Sequence, residues 1–221
     1  MRYLAQQAGG LTDAMFNEDP YQSNRARNWF QVDWLLYNLK LDHKFSDKTN
    51  FTFNFFGLNA SRDALGFRTN RVSQVDSNQE RDLIKGDFKN FGFESRLLTK
   101  YKVFNKDATF LIGSKFYKAD NYQEQGPASD GIGPDFDFTN DEYPNYPNQS
   151  QFDLPNLNVS VFGENIFYVS DKFSVTPGFR FEYIKTQSDG FYKNINTELL
   201  AMLFLKKRLK ITKTSSVRLF Y

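Results

Sequence analysis

Between Tyr37 and Phe45, apolar and polar residues strictly alternate. Tyr37, Leu39, Leu41, His43 and Phe45 hold one parity, and Asn38, Lys40, Asp42 and Lys44 the other. Successive side chains of a strand point to opposite faces, so this pattern predicts one apolar and one charged face. The same period runs from Asn90 to Val103, with Phe91, Phe93, Leu97, Tyr101 and Val103 opposed to Glu94, Arg96, Lys100 and Lys102. It returns from Phe173 to Thr186, where Phe173, Val175, Phe179, Phe181 and Tyr183 oppose Ser174, Arg180, Glu182 and Thr186. A helix needs a 3.6-residue period, and none of these stretches carries one.

Three further stretches alternate less cleanly. Phe51, Phe53 and Phe55 alternate with Thr52 and Asn54, and the pattern slips at Gly57, where a β-bulge is expected. Phe110, Ile112 and Phe116 alternate with Thr109, Gly113 and Lys115, whereas Leu157, Val159 and Val161 are followed by the rule-breaking Phe162 and Ile166. The run Trp29–Leu36 is apolar on both parities and reads as an interfacial belt.

The connections alternate in length. Tight turns are expected at Ser46–Thr49, Asn105–Asp107 and Ser170–Lys172, and long polar connections at about residues 60–87 and 119–155. Aromatics flank each turn: Phe45 and Phe51, Phe104 and Phe110, then Phe167, Tyr168 and Phe173. Short turns at one end, long loops at the other and aromatics at the boundary describe an outer-membrane barrel. The reading is all-β: an antiparallel transmembrane β-barrel fragment of about six strands in three hairpins, with short periplasmic turns and long extracellular loops. A soluble antiparallel sheet closing over a core is the alternative, since such sheets alternate too.

Composition narrows the chemistry. The chain has 221 residues with 25 phenylalanines, no cysteine and one histidine, at a net charge of +2. Disulfides, zinc–thiolate sites and cysteine nucleophiles are excluded. The charge is too small to point to nucleic acid. No run of about 20 apolar residues is present for a spanning helix. No catalytic constellation, cofactor motif or metal-ligand spacing appears, so no enzyme is expected. His43 falls on an apolar face beside a turn and reads as interfacial. The acids Asp120, Glu124, Asp130, Asp135, Asp137, Asp141 and Glu142 lack the 1-3-5 ligand spacing of a calcium loop, so this stretch reads as a glycine-rich loop. The opening Met1–Gln7 has no basic stretch followed by an apolar one, so an exported chain would take its signal from further upstream; the alternative is a cytoplasmic chain.

The last stretch differs. Residues 199–221 contain Lys206, Lys207, Arg208, Lys210, Lys213 and Arg218 and no acid. They form a basic tail, read either as out-of-frame sequence or as a terminal strand in which Val217, Leu219 and Tyr221 alternate.

Several segments together carry a resemblance. The opening Gln6–Ala14 and Gln22–Phe30, the stretch Arg81–Gly92, the loop Gly131–Phe138, the strand start Phe152–Asn156 and Val175–Glu182 resemble TonB-dependent outer-membrane receptors, in particular the ferric citrate receptor group. The resemblance covers about residues 3–196, and residues 1–198 are taken as a partial receptor barrel. It implies a wall segment of a barrel of roughly 22 strands, placed in the cell outer membrane and contacting its lipid. It implies import of a ferric siderophore such as iron–citrate, with the TonB complex engaged only through a plug domain absent from this chain. A non-functional product of a split or truncated gene and a soluble β-sheet binding module are the alternatives. An iron–citrate complex is anionic and guanidinium groups suit carboxylates, so Arg25, Arg27, Arg62 and Arg68 are the candidate ligand-binding residues, with Arg71 and Arg81 nearby. Tyr122 and Tyr143–Pro147 are stacking candidates or ordinary loop residues. Glu94, Arg96, Arg180 and Glu182 are expected to face the interior and to pair between strands.

Overall fold

A computed structural model describes residues 1–4, 10–23, 25–68, 72–170 and 172–193, and the backbone of 206–214. In chain order the elements are β1 (Arg2–Leu4), α1 (Asp13–Glu18), β2 (Trp29–Lys44), β3 (Thr49–Gly66), β4 (Arg81–Val103), β5 (Lys106–Ala128), β6 (Ser150–Ser170), β7 (Phe173–Val175), β8 (Gly178–Lys193) and β9 (Lys206–Thr214). All strands belong to one antiparallel sheet ordered β1-β2-β3-β4-β5-β6-β8-β9, with β7 paired to β6. The six long strands form the expected three hairpins: β2–β3, β4–β5 and β6–β8. Among the described residues no pairing joins β1 to β9, so the sheet is open.

The register sorts side chains into two faces. One row across the outward face reads Leu39, Phe55, Phe93, Phe116, Val159 and Tyr183. Its rings touch across strands: Phe53 and Phe93 stack at 5.7 Å, and Phe93 and Phe116 at 5.5 Å. Such cross-strand aromatic pairs contribute roughly 0.2–1 kcal/mol each. On β4 the apolar stretch of this face runs from Phe91 to Tyr101, close to the ~9–11 residues that a tilted strand needs to cross a bilayer. The opposite face carries Lys40, Asn54, Glu94, Lys115, Ser160 and Glu182 in the neighbouring row. Leu39, Leu41, Phe91, Ile112, Val161 and Phe181 are exposed to the surroundings, so they form a patch that needs lipid rather than a dry core.

The turns follow from local chemistry. At β2–β3, the Ser46 hydroxyl accepts from the amides of Lys48 and Thr49 at 3.2 and 3.1 Å. At β4–β5 the turn sits on Phe104–Asn105, one residue earlier than expected. Both residues have positive φ, 50° and 59°, which a two-residue hairpin loop requires for strands of right-handed twist. Asn105 tolerates that conformation, and Phe104 is held in it with its side chain 95% exposed. The third strand-like stretch is broken where one strand was expected: Pro177, with no N–H to give, separates β7 from β8. The Pro177 carbonyl accepts from the Asn165 amide at 2.9 Å, so the register carries across the break.

One expectation of irregularity is corrected and one explained. No bulge occurs at Gly57; pairing runs unshifted from Trp29↔Leu65 to Lys44↔Asn50. The glycine is there because the Tyr37 ring lies on it, and an added Cβ would stand 2.3 Å from that ring. The break in alternation at Phe162 is an apolar ring on the charged face and not a shift of register. Phe162 points inward and covers Gly113, where a Cβ would stand 2.4 Å from its ring. The guanidinium groups of Arg96 and Arg180 sit 6.0 and 5.5 Å from its centroid, so a ring among charges is held by cation–π contact.

The strands also outrun the alternation. The long connections are residues 67–80 and 129–149, shorter than expected, because β3 to β6 continue past the apolar stretch with a charged outward face. The run Trp29–Leu36 lies in this upper part of β2 rather than in an interfacial belt. Gln31 and Asp33 face outward there, and Phe30, Val32, Trp34 and Leu36 face inward. Residues 206–214 of the basic tail pair with β8, while Val217, Leu219 and Tyr221 lie outside the described residues.

Candidate functional site: the mouth at the long-loop end

Two arginines tie three connections together. Arg27, 5% exposed, lies just before β2. Its Nε and Nη2 donate to Asp76 at 2.8 and 2.5 Å, its Nη1 to the Asp130 carbonyl at 2.6 Å, and its Nη2 also to the Gln79 carbonyl at 3.1 Å. Arg81, the first residue of β4, is fully buried. It donates to the Ser129 carbonyl at 2.8 Å, the Ser129 hydroxyl at 2.9 Å, the Gly133 carbonyl at 2.7 Å and the Arg27 carbonyl at 3.3 Å. Planar forks with five donors suit this carbonyl-binding role. Asn28 adds a further tie: its side chain accepts from the Phe67 amide at 2.8 Å and donates to the Phe67 carbonyl at 3.2 Å. Gly66 lies beneath it at φ 155°, where a Cβ would stand 2.2 Å from the Asn28 oxygen.

The loop after β5 straddles the rim. On the outward face Phe136 joins Leu65, Leu83 and Ala128 in a small buried cluster, with Trp29 and Phe138 packed against it. The Trp29 indole donates to the Ile132 carbonyl at 2.8 Å. On the inward face the Tyr146 hydroxyl donates to Asp82 and accepts from Gln125 at 3.1 Å. Folding one loop over both faces fixes the shape of the mouth.

The electrostatics match this geometry. The hydrogen bond to Asp76 raises the Arg27 pKa against the opposing effect of burial. Burial pushes the Asp76 carboxyl upward, but the Arg27 hydrogen bond, the Asn78 amide and the charges of Arg27 and Arg81 together hold it below the usual range. Asp82 goes the other way, raised chiefly by burial although the Tyr146 bond opposes the shift.

The four candidate arginines therefore occupy different settings. Arg27, read from sequence as a rim residue, is interior, and its donors are engaged by protein groups; a ligand would have to displace Asp76. Arg25 stands half-buried in the same segment, its amide donating to the Ser23 hydroxyl at 3.1 Å. Arg62 is exposed on the inward face of β3, its guanidinium 5.7 Å from the Phe88 centroid. Arg68 is exposed at the start of the 67–80 connection, and its charge acts on Asp82 and Tyr146. Arg71 lies outside the described residues. Among the stacking candidates, Tyr146 is buried by its bond to Asp82, and Tyr122 faces outward, donating to Glu124 at 2.8 Å.

The acidic stretch 120–142 is half strand, since β5 runs to Ala128, and among the described residues no group of three or more acids or histidine is placed to hold a metal. His43 lies on the outward face, its ring edge-on to Phe45 at 4.5 Å. The interior ion pairs run along strands, Arg96 to Glu94 at 2.6 Å and Arg180 to Glu182 at 2.9 Å, because residues two apart share a face.

A sheet that is apolar outward, charged inward, and bounded by tight turns at one end and long connections at the other is a barrel wall. Residues 2–200 match the family described as "TonB dependent receptor-like, beta-barrel". The chain belongs to that family. The family is one of outer-membrane transport receptors, and its barrel accounts for the open sheet and the mouth of long connections. Among solved structures, the ferric citrate transporter FecA in its unliganded form is similar in fold, with a TM-score of 0.65 at 14% identity over 94% of this chain. The chain spans 27% of that transporter's length. No curated protein matches the sequence. What sequence reasoning missed in the mouth are the roles of Asp76 and Asn28, single residues outside any alternating stretch, with no local pattern to mark them.

Proposed function

We propose that this chain is a wall segment of an outer-membrane TonB-dependent receptor that imports an anionic ferric siderophore, with residues 1–198 supplying wall and loops and residues 199–221 a basic tail. The carrying observation is the outward apolar band on strands that continue well above it into an ordered mouth. Lipid covers the band. The receptor's remaining strands pair with the open edges, and its plug couples to the TonB complex. Arg62 and Arg68 are the ligand-attracting arginines of this wall. Arg25 and Arg27 act behind them, Arg27 by holding the mouth together.

Among the described residues no pairing closes the sheet, and open edges in lipid leave unsatisfied backbone groups at several kcal/mol each. The chain alone is therefore expected to carry no iron. Growth on ferric citrate of a strain lacking its own ferric citrate receptor tests this. The expected result is no growth with the chain alone and growth when a plug-bearing segment with the missing strands is supplied. Growth with the chain alone would defeat the wall-segment reading.

A further inference from the structure

On the outward face, the first charges met above the apolar band are cations. The rows through Phe93, Ser95, Leu97 and Thr99 hold no acid, lysine or arginine. In the next row up, Lys118 and Lys185 stand on either side of Leu157, level with Phe91. The row above brings Lys89 directly opposite Asp120, and the row after that holds Asp87 and Asp153. Lys118 pairs with Asp120 at 3.3 Å, their side chains 49% and 59% exposed. Lys89, Asp87 and Asp153 are exposed as well. The belt is therefore polarised: positive against the hydrocarbon, negative away from it. Residues two apart on a strand share a face, so the Lys118–Asp120 pair is a small dipole along β5 with its positive end next to the band. An ion pair this exposed contributes little to folding, so stability does not set its direction.

We infer that this belt is a docking site for the phosphoethanolamine headgroup of a membrane lipid, laid head to tail along the Lys118–Asp120 pair. The phosphate, next to the acyl chains, meets Lys118, with Lys89 and Lys185 flanking it. The primary ammonium, two carbons further out, donates to Asp120 and has Asp87 beyond it. The site continues the lipid-facing band, so the acyl chains of the same lipid lie on Phe91, Leu157 and Val159. The inference rests on that band facing lipid, not on what the receptor carries. Charge complementarity selects the occupant. A purely anionic headgroup would answer the lysines and bring its outer part against Asp87, Asp120 and Asp153. A choline headgroup has the right polarity but no N–H to donate to a carboxylate.

The chain contains no cysteine, so Val159→Cys, one row below Leu157, can carry a fluorophore beside the site without joining it. The chain is assembled with cysteine-free complementing strands and plug in phosphatidylcholine vesicles. Three quenching lipids bear a nitroxide on the same acyl carbon and differ only in headgroup: phosphatidylethanolamine, phosphatidylcholine and phosphatidylglycerol. Phosphatidylethanolamine is expected to hold the face next to the label about threefold more strongly than either of the others, the size of one exposed ion pair. Exchanging the pair, Lys118→Asp with Asp120→Lys, keeps an ion pair and reverses its polarity. It is expected to abolish the preference, which a pair serving only the fold would not do. Lys118→Gln with Asp120→Asn is expected to do the same. It decides the matter if the exchanged chain fails to assemble, as read from heat-modifiable mobility.

Phosphatidylethanolamine held no more strongly than phosphatidylcholine overturns the inference, as does a preference that survives these substitutions. Phosphatidylglycerol held most strongly also overturns it, and assigns the belt to anionic lipid through its lysines alone. In each of these cases the lipid-facing wall stands. Quenching by none of the three lipids overturns the wall reading and the inference with it.

Discussion

The lower and upper halves of the same sheet obey different rules. Below Phe91, β4 alternates apolar and polar residues because lipid meets one face and the barrel interior the other. Above it, from Arg81 to Lys89, the outward face carries Lys85, Asp87 and Lys89, opposite Glu124, Tyr122 and Asp120 of β5. One outward row of this upper half holds Asp33, Asp87, Asp153 and Asp189, which only water or hydrated headgroups can surround. The lower half is held by the bilayer and by ring-on-ring contacts. The upper half is held by its backbone ladder and by buried arginines at the rim. A strand therefore keeps its hydrogen bonding through a change of solvent, while its side-chain pattern changes completely.

The sharpest way to break this contrast is at the rim. Arg27→Ala leaves the Asp76 carboxylate buried without its counter-charge, a change that costs about 3–5 kcal/mol. Hydrogen exchange should then quicken in residues 72–80 and 129–133, with the amides of Phe91–Leu97 unchanged. Loss of protection in both places would mean that the halves are one cooperative unit.

A smaller effect distinguishes the two outward faces. Phe93→Lys puts a charge into the lipid-facing row and is expected to cost about 2–4 kcal/mol in urea unfolding from lipid vesicles. Lys85→Ala, on the outward face above the band, should stay within about 0.5 kcal/mol. Equal costs would erase the distinction.

Acid should act on the rim in two opposed ways. The Asp76 carboxyl titrates below its usual range, so its contribution is present above that range and is lost as pH falls through the depressed value. The Asp82 carboxyl is raised, so its contribution is full below the usual range and is lost as pH rises through the raised value. Protease cleavage within 72–80 should accelerate at the acid end. Cleavage within 139–149 should slow as pH first drops, and Asp82→Asn should abolish that slowing.

The smallest expected effect lies at the far turn. Phe104→Gly relieves a left-handed phenylalanine and should stabilise the β4–β5 hairpin by about 1 kcal/mol, read from the urea midpoint.

These differences also explain what could be read from the sequence. Alternation needs two unlike solvents, so it exposed the strands where lipid and interior differ, as at Tyr37–Phe45 and Asn90–Val103. It faded where the outward face turns charged and apolar residues such as Ile84 and Phe88 stand inward, which is why the ends of β4 and β5 were taken for loop. Gly57 and Phe162 look irregular in one dimension, because the ring over Gly57 and the glycine under Phe162 belong to neighbouring strands. The candidate arginines were visible as residues. Their roles were not, since Arg27 and Arg62 differ only in what the fold places beside them: Asp76 for one, the Phe88 ring for the other.

The central claim is that the row Phe55, Phe93 and Phe116 faces lipid while Asp87 and Asp153 face water on the same side of the sheet. The chain contains no cysteine, so single cysteines can carry a nitroxide label at each position without removing a native thiol. In outer membranes that contain the chain with its complementing strands, labels at 55, 93 and 116 should collide with oxygen and be shielded from a water-soluble nickel chelate. Labels at 87 and 153 should show the reverse. Labels at 55, 93 and 116 shielded from both reagents would indicate a closed protein core and would contradict the account.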